Sequence, residues 1–358
     1  MSNELEPMRK RIEEIDLKIA ELMIERNDAS RAVGVIKKEF GIALRNKDVE
    51  EKVIARYREA ASGTSLSQDV AEAVCKLLIA DSVRLQSFIL RNRCEKKVSV
   101  IGGEGKMGKR VAEYFRNMGA TVNIVDVSVG EMEDIRDSDI VVVSVPISTV
   151  AQVMIDADRV CKDDALIFDI SSVKTPFLPM LIKMAERRKV CSVHPMFGPS
   201  VSTVAGKNVI ICDCGNEKAV AEVKELFDND GSNVTVMPAE RHDVLMSYVL
   251  GLAHALNITF FTALRLSEIQ FGELKNSSSS TFDSILSIST PVSEEDPFLY
   301  YEIQRLNKNS GDMWSVYEKA FAEVKCASLS GDPKKFSEIM GSGKTYLHND
   351  GAPKAAQR

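Results

Sequence analysis

From Leu5 to Lys38, apolar residues recur at intervals of three and four through Met8, Ile12, Ile15, Ile19, Leu22, Met23, Ala29, Val33 and Ile36, predicting one long helix with a single apolar stripe. Gly41 interrupts the pattern. A second helix is predicted from about Asn46 to Ala60 and a third from Gln68 to about Arg93, with Ser67 placed to cap the third. At 1.5 Å per residue the first helix is about 50 Å long, too long for three helices to close a compact core around it. Its stripe therefore predicts a partner, and a second copy of the chain fits that need.

After a short charged junction, Arg93–Lys97, the pattern changes. Val98–Ile101, Thr121–Asp126, Asp139–Pro146, Ala165–Ile170 and Val190–His194 read as short strands, with a further one ending at Cys212-Asp-Cys214. The continuous β-branched run in Asp139–Pro146 predicts a strand buried on both faces of a parallel sheet. From Pro238 the spacing is helical again, almost wholly apolar through Leu245–Leu264 and continuing to about Phe271. Further helices are predicted from Phe298 to about Leu329 and from Pro333 to Met340. Asn276–Thr281 reads as a mobile low-complexity loop, and residues 341–358 as a disordered tail. The expected organisation is an all-α three-helix domain over 1–93, an α/β doubly wound domain over 97–236, and an all-α domain over 237–340.

Composition narrows the function without choosing it. The chain has 358 residues, 44% hydrophobic and 27% charged, as in a globular protein of two or three domains. A net charge of -6 with dispersed basic residues gives no reason to expect nucleic-acid or membrane-surface binding. The start lacks an apolar signal core, and no apolar run approaches the roughly twenty residues that span a bilayer, so a cytoplasmic protein is expected. Seven cysteines follow no zinc or disulfide spacing and read as reduced thiols, and four scattered histidines suggest no metal.

The first chemistry-bearing stretch joins the first two strands. Gly103, Gly105 and Gly108 fit G-x-G-x-x-G between a strand and a helix. The first would make the tight turn, the second admit a pyrophosphate, and the third allow close helix–strand packing. Asp126 ends the next strand, where an acid would hold a ribose hydroxyl. With no adjacent Arg, it favours NAD over NADP. Lys106 and Met107 in the turn, with Ser144 and Pro146 at the end of the third strand, complete the expected cofactor contacts of this Rossmann-like unit. Ser172, Lys174 and His194 lie at further carboxyl ends of strands, where loops line the ligand crevice.

In the helical third, Arg26 and Lys37 are eleven residues apart, so they lie about 20° apart around the helix and about 16 Å apart along it, able to converge on a dianion. Arg9 lies about 25 Å from Arg26 and roughly 100° round the helix, out of reach within one chain but available across an antiparallel dimer. Arg9, Ile15-Asp16, Glu25-Arg26, Val33-Gly34, Lys37, Leu44-Arg45, Glu50 and Asp81-Ser82 through Gln86 together resemble the all-helical chorismate mutase family. That resemblance implies an intertwined homodimer that rearranges chorismate to prephenate. Arg26 and the other subunit's Arg9 would clamp the carboxylates, Lys37 and Gln86 would bond the ether oxygen, and Glu50 would hold the ring hydroxyl. Ser82 and Asn46 would complete the substrate contacts. Asn46 stands where many members carry Asp, and Val49 where a further Arg is common.

The glycine motif, Ser172-Val-Lys174 and His194-Pro-Met-Phe-Gly198 together resemble the prephenate dehydrogenase family over about 97–340. Fusion of such a mutase to such a dehydrogenase is a known arrangement in tyrosine biosynthesis. The resemblance implies that His194 takes the proton of the substrate's ring hydroxyl as hydride leaves for NAD, with Ser172 bonding that hydroxyl or orienting His194. It also places Asp243 at the border of the active site and His254 near the side-chain carboxylate, while the helices from Phe298 to about Leu329, with Trp314, and from Pro333 to Met340 are expected to build an apolar dimer interface. The family's usual arginine before Asp296-Pro297 is Pro291 here, with Arg305 and Lys275 as nearby cations. Two readings therefore stay open beside the bifunctional one: a dehydrogenase for arogenate or another hydroxy acid, and a non-catalytic dimerising or chorismate-sensing N-terminal module.

Overall fold

The computed structural model describes residues 2–90, 94–201, 203–228 and 231–349. They divide into two compact units, the boundary falling between His242 and Asp243.

The first unit opens with three helices, α1 (Ser2–Glu39), α2 (Lys47–Ala61) and α3 (Gln68–Leu90). The end expected for α3, and Arg93 of the junction, lie outside the described residues. Asn46 caps α2 by accepting from the Val49 amide at 3.2 Å, and Ser67 accepts from the Asp69 amide at 3.2 Å. α1 packs on α3 closely at Gly34, where a Cβ would stand 3.2 Å from the Gln86 side chain. Most of the apolar stripe, including Leu5, Met8, Ile12, Ile15, Ile19 and Leu22, is exposed in a single chain.

The sheet follows: β1 (Lys97–Ile101), β2 (Thr121–Val125), β3 (Ile140–Val143), β4 (Leu166–Asp169), β5 (Lys189–Pro195), β6 (Asn208–Asp213) and β7 (Asn233–Pro238). Its order is β2-β1-β3-β4-β5-β6-β7; every pairing is parallel except β5–β6. Helices α4 (Lys106–Asn117), α5 (Val150–Val160), α6 (Leu178–Ala185) and α7 (Glu217–Asp228) connect the strands. Val100, Phe115, Ile140, Val142, Leu166, Phe168 and Ile211 are wholly buried, which is why these strands read as unbroken apolar runs. β7 escaped the sequence reading because it lies at the sheet edge and is never fully buried, so it lacks that signature.

α8 (Ala239–Met246) carries the unit boundary. A π-helical turn, Ser247–Leu252, continues it into α9 (Ala253–Leu266). The run Ala239–Leu266 is long and apolar enough, by length and composition alone, to cross a membrane, which corrects the expectation that no such run exists. It ends five residues earlier than expected because Glu268 turns left-handed at φ 61°.

The second unit adds α10 (Phe271–Asn276), α11 (Ser280–Glu294), α12 (Pro297–Leu306), α13 (Ser310–Leu329) and α14 (Pro333–His348). The serine run read as a mobile loop is instead a tight connection, in which Ser279 accepts from the Phe282 amide and caps α11. The tail expected from 341 is helical through His348 in α14, started by Asp332 as N-cap and Pro333 at its first position. Residues 350–358 of that tail lie outside the described residues.

Candidate functional site

Two separate constellations sit in the first unit. Between α1, α2 and α3 lies a pocket of about 490 Å³ whose lining includes Arg26, Lys37, Asn46, Glu50, Ser82 and Gln86. Arg26 donates to Ser82 Oγ at 2.6 Å and to the Leu78 carbonyl at 2.9 Å, so its guanidinium is held against α3. The Gln86 amide donates to Ser30 Oγ at 2.9 Å inside the helix pair. Lys37 donates to the Leu44 carbonyl at 2.6 Å, and Arg45 grips both oxygens of Glu50 at 2.8 and 2.6 Å.

Burial lowers the Lys37 pKa, with Glu50 acting in the opposite direction. The Arg45 hydrogen bond holds the Glu50 carboxyl below its ordinary range. Asn46 Oδ1 is engaged by its helix-capping bond. Arg9 stays exposed beside Glu6 and is not brought to this pocket within the chain.

The second constellation is built at the carboxyl ends of β1, β4 and β5. The tight turn runs from Gly102 to Gly105 with Gly103 inside it, closed by the Gly105 amide donating to the Gly102 carbonyl at 3.2 Å, and Gly102, which the motif reading did not name, has φ +80°. A Cβ on Gly102 would fall 2.1 Å from the Ser144 carbonyl. Gly103 is also a packing glycine, with Ile124 2.6 Å from where its Cβ would lie, and Gly108 presses the first turn of α4 onto the Gly102 carbonyl. Gly105 caps α4 without a side-chain bond, and the first turn carries no acidic residue, leaving donors there for an anion. Lys106 is exposed at the start of that helix, whereas Met107 packs against the core. Asp126 accepts from the Glu104 amide at 2.9 Å and the Val127 amide at 2.8 Å, fixing a carboxylate at the end of β2. Ser144 and Pro146 lie just past β3, with the Ser144 amide bonded to Ile101 at 2.8 Å.

His194, near the end of β5, is buried. Its Nδ1 stands 2.9 Å from Nε2 of His242, also buried. Burial first, then His242 and Lys174, push its pKa well below the ordinary histidine value. Lys174 is wholly buried and donates to Asp169 Oδ1 at 2.9 Å, to the Ser171 carbonyl at 2.7 Å and to the Val193 carbonyl at 2.9 Å. Ser171, not Ser172, bonds into this cluster at Asp169, and Ser172 is half-buried beside it. Asp169 and His242 were not singled out from sequence. The available signals were an acid closing an apolar strand and a histidine one residue from Asp243.

In the second unit, Asp243 is buried and its carbonyl accepts from Asn307 at 2.7 Å. His254 meets the edge of Tyr300 at 4.3 Å. Its buried Nδ1 has no hydrogen-bond partner among the described residues, and burial lowers its pKa to about 4. Pro291 lies inside α11. Arg265, rather than Arg305 or Lys275, shares a pocket of about 450 Å³ with Ser289, Thr290 and Ser293 of that helix.

Comparison with known proteins matches residues 8–87 to the family "Chorismate mutase type II". Residues 89–236 match "Prephenate dehydrogenase, nucleotide-binding domain", and 238–342 match "Prephenate dehydrogenase, dimerization domain". The T-protein of Enterobacter agglomerans is 24% identical over 341 residues, covering 94% of this chain and 91% of that protein. The T-protein of Haemophilus influenzae is 26% identical, over 84% of this chain and 80% of its own length. Among solved structures, prephenate dehydrogenase from A. aeolicus in complex with hydroxyphenyl propionate and NAD+ shares the fold. Its TM-score is 0.59 at 21% identity, covering 71% of this chain and 98% of that one.

Proposed function

We infer from the chain's membership of two families, type II chorismate mutase and prephenate dehydrogenase, that it is a bifunctional enzyme of tyrosine biosynthesis. It rearranges chorismate to prephenate and then oxidises prephenate with NAD to 4-hydroxyphenylpyruvate and carbon dioxide. Domain boundaries at 1–93, 97–236 and 237–340 divide the work. The observation that carries this reading is that Arg26, Lys37, Glu50, Ser82 and Gln86 line one pocket in the same chain whose buried His194 lies near the end of β5.

In the helical pocket, catalysis is positioning. A pericyclic step needs no nucleophile, only a held conformer and donors where charge develops. Arg26 and a second copy's Arg9 clamp the carboxylates, Lys37 and Gln86 face the ether oxygen as its bond breaks, and Glu50 takes the ring hydroxyl. The exposed stripe of α1 supports a homodimer that brings that second Arg9. Exposed Phe271, Phe298 and Phe321 support a second contact through the C-terminal unit.

In the sheet domain the residues fit a dinucleotide. Gly102 and Gly108 leave no room for a side chain beneath the turn, the uncapped start of α4 offers donors to a pyrophosphate, and Asp126 presents a fixed carboxylate to a ribose. NAD, when bound, supplies the hydride acceptor. His194 is neutral at working pH, and the tautomer that serves as base is the one whose Nδ1–H donates to His242 Nε2, leaving its own Nε2 to take the substrate's hydroxyl proton. The hydroxyl carbon becomes a carbonyl, and the ring carboxylate is then a vinylogous β-keto acid that leaves as carbon dioxide. Ser172 bonds the hydroxyl or orients His194, His254 meets the substrate's side-chain carboxylate, and Asp243 borders the active site. The free cysteines, six of them buried, support a cytoplasmic enzyme.

The test is one mixed assay. Chorismate and NAD are supplied together, chorismate loss and NADH formation are both followed, and the dehydrogenase is assayed again with prephenate and with arogenate. NADH formed from chorismate and from prephenate supports the reading. Turnover of arogenate alone would overturn the substrate assignment, and a protein inert toward chorismate would reduce its helices to a dimerising module.

A further inference from the structure

Two glycines of the sheet domain meet the loop that builds the helical pocket. Gly206, between β5 and β6, and Gly231, between α7 and β7, have φ of +71° and +73°, and the Gly206 amide donates to the Gly231 carbonyl at 2.7 Å. A Cβ on Gly231 would fall 2.0 Å from Cδ2 of Leu44, and one on Gly206 would fall 3.1 Å from a guanidinium nitrogen of Arg45. Backbone conformation and contact both call for glycine at Gly231, and conformation calls for it at Gly206.

The loop these glycines touch carries much of the pocket's polar wiring. Leu44 supplies the carbonyl that holds Lys37 at 2.6 Å, Arg45 grips the Glu50 carboxylate at both oxygens, and Asn46 caps the helix from which Glu50 projects. Three consecutive residues thus fix two of the groups that face the substrate, and two of the three rest on the other domain.

We propose that Gly206 and Gly231 form a seat for Leu44–Arg45 that positions Lys37 and Glu50. The mutase pocket of this chain would then be completed by contact with its dehydrogenase domain. The proposal rests on reading the helical pocket as the mutase. The two glycines are positioning residues and touch no substrate. An ångström of displacement at a pocket built by positioning is enough to cost up to about two orders of magnitude in rate, so the seat has leverage out of proportion to its size.

The test uses the full-length chain. Gly231→Asn keeps a residue that tolerates the left-handed conformation but drives a side chain into Leu44. Mutase kcat/KM is expected to fall about tenfold or more, while dehydrogenase kcat/KM on supplied prephenate stays within about twofold of the parent. Leu44→Ala removes the same contact from the other side. It is expected to lower mutase alone, and in the double variant the two losses should not add. A parent inactive toward chorismate would overturn the mutase reading itself. With an active parent, a folded Gly231→Asn of full mutase activity overturns the seat, as does parallel loss of both activities. Should Gly231→Asn not fold, full mutase activity in Leu44→Ala overturns it in the same way.

Discussion

The ammonium of Lys174 lies 2.9 Å from the carboxylate of Asp169, and both side chains are wholly buried. The same ammonium bonds the carbonyl of Val193, so the pair ties the end of β4 to the residue preceding His194. Breaking a buried pair from one side leaves a bare charge in the interior, which costs about 3–5 kcal/mol. Lys174→Met should cost about 3 kcal/mol, the low end of that range, because Asp169 keeps the Ser171 and Ser192 hydrogen bonds. Urea unfolding measures it. The double change with Asp169→Asn should recover part of the loss, and additive losses would show the two residues to be uncoupled.

His194→Asn is expected to lower dehydrogenase turnover by about 10²–10⁴ and leave chorismate turnover unchanged. His242→Leu removes the partner of Nδ1 and one of the influences that depress the His194 pKa. The acid limb of the kcat/KM profile should therefore move to higher pH, with KM changing less than kcat. An unmoved limb would mean that His194 is not the titrating base.

Acid should weaken the fold before most carboxylates titrate. His254 is held at about 4, and His194 well below the ordinary value, both mainly by burial, so both are neutral in the folded chain near neutral pH. In the unfolded chain each takes up a proton near about 6.5. Their contribution is therefore complete above that pH and is lost as pH falls toward the depressed folded values. Denaturation midpoints at pH 7.5 and pH 5 should differ, and the difference should shrink in His254→Gln.

Cofactor choice is expected to follow Asp126. The parent should use NAD with at least about tenfold higher kcat/KM than NADP, and Asp126→Ser should erase most of that gap. Part of the loss will be structural, because Asp126 also bonds the Glu104 and Val127 amides. Melting temperature measured alongside separates the two effects. Equal use of both cofactors by the parent would remove Asp126 from the ribose site.

What the sequence determined by itself was whatever local periodicity and spacing can encode. The helical stripe of α1, the wholly buried strands and the glycine turn are legible because each is written in residues close along the chain. Arg26 and Lys37 could be paired because one helix sets their separation. Tertiary structure decided the rest. It added Gly102 to the glycine turn, because only the Ser144 carbonyl just past β3 reveals that this position has no room for a side chain. It made a tight, capped connection of the serine run and helix of part of the tail, because capping bonds outweigh composition. It brought Asp169 to Lys174, His194 to His242, and Leu44 to Gly231 across separations that no sequence pattern records. Burial, which turns a polar residue into a committed partner, exists only once the chain has folded.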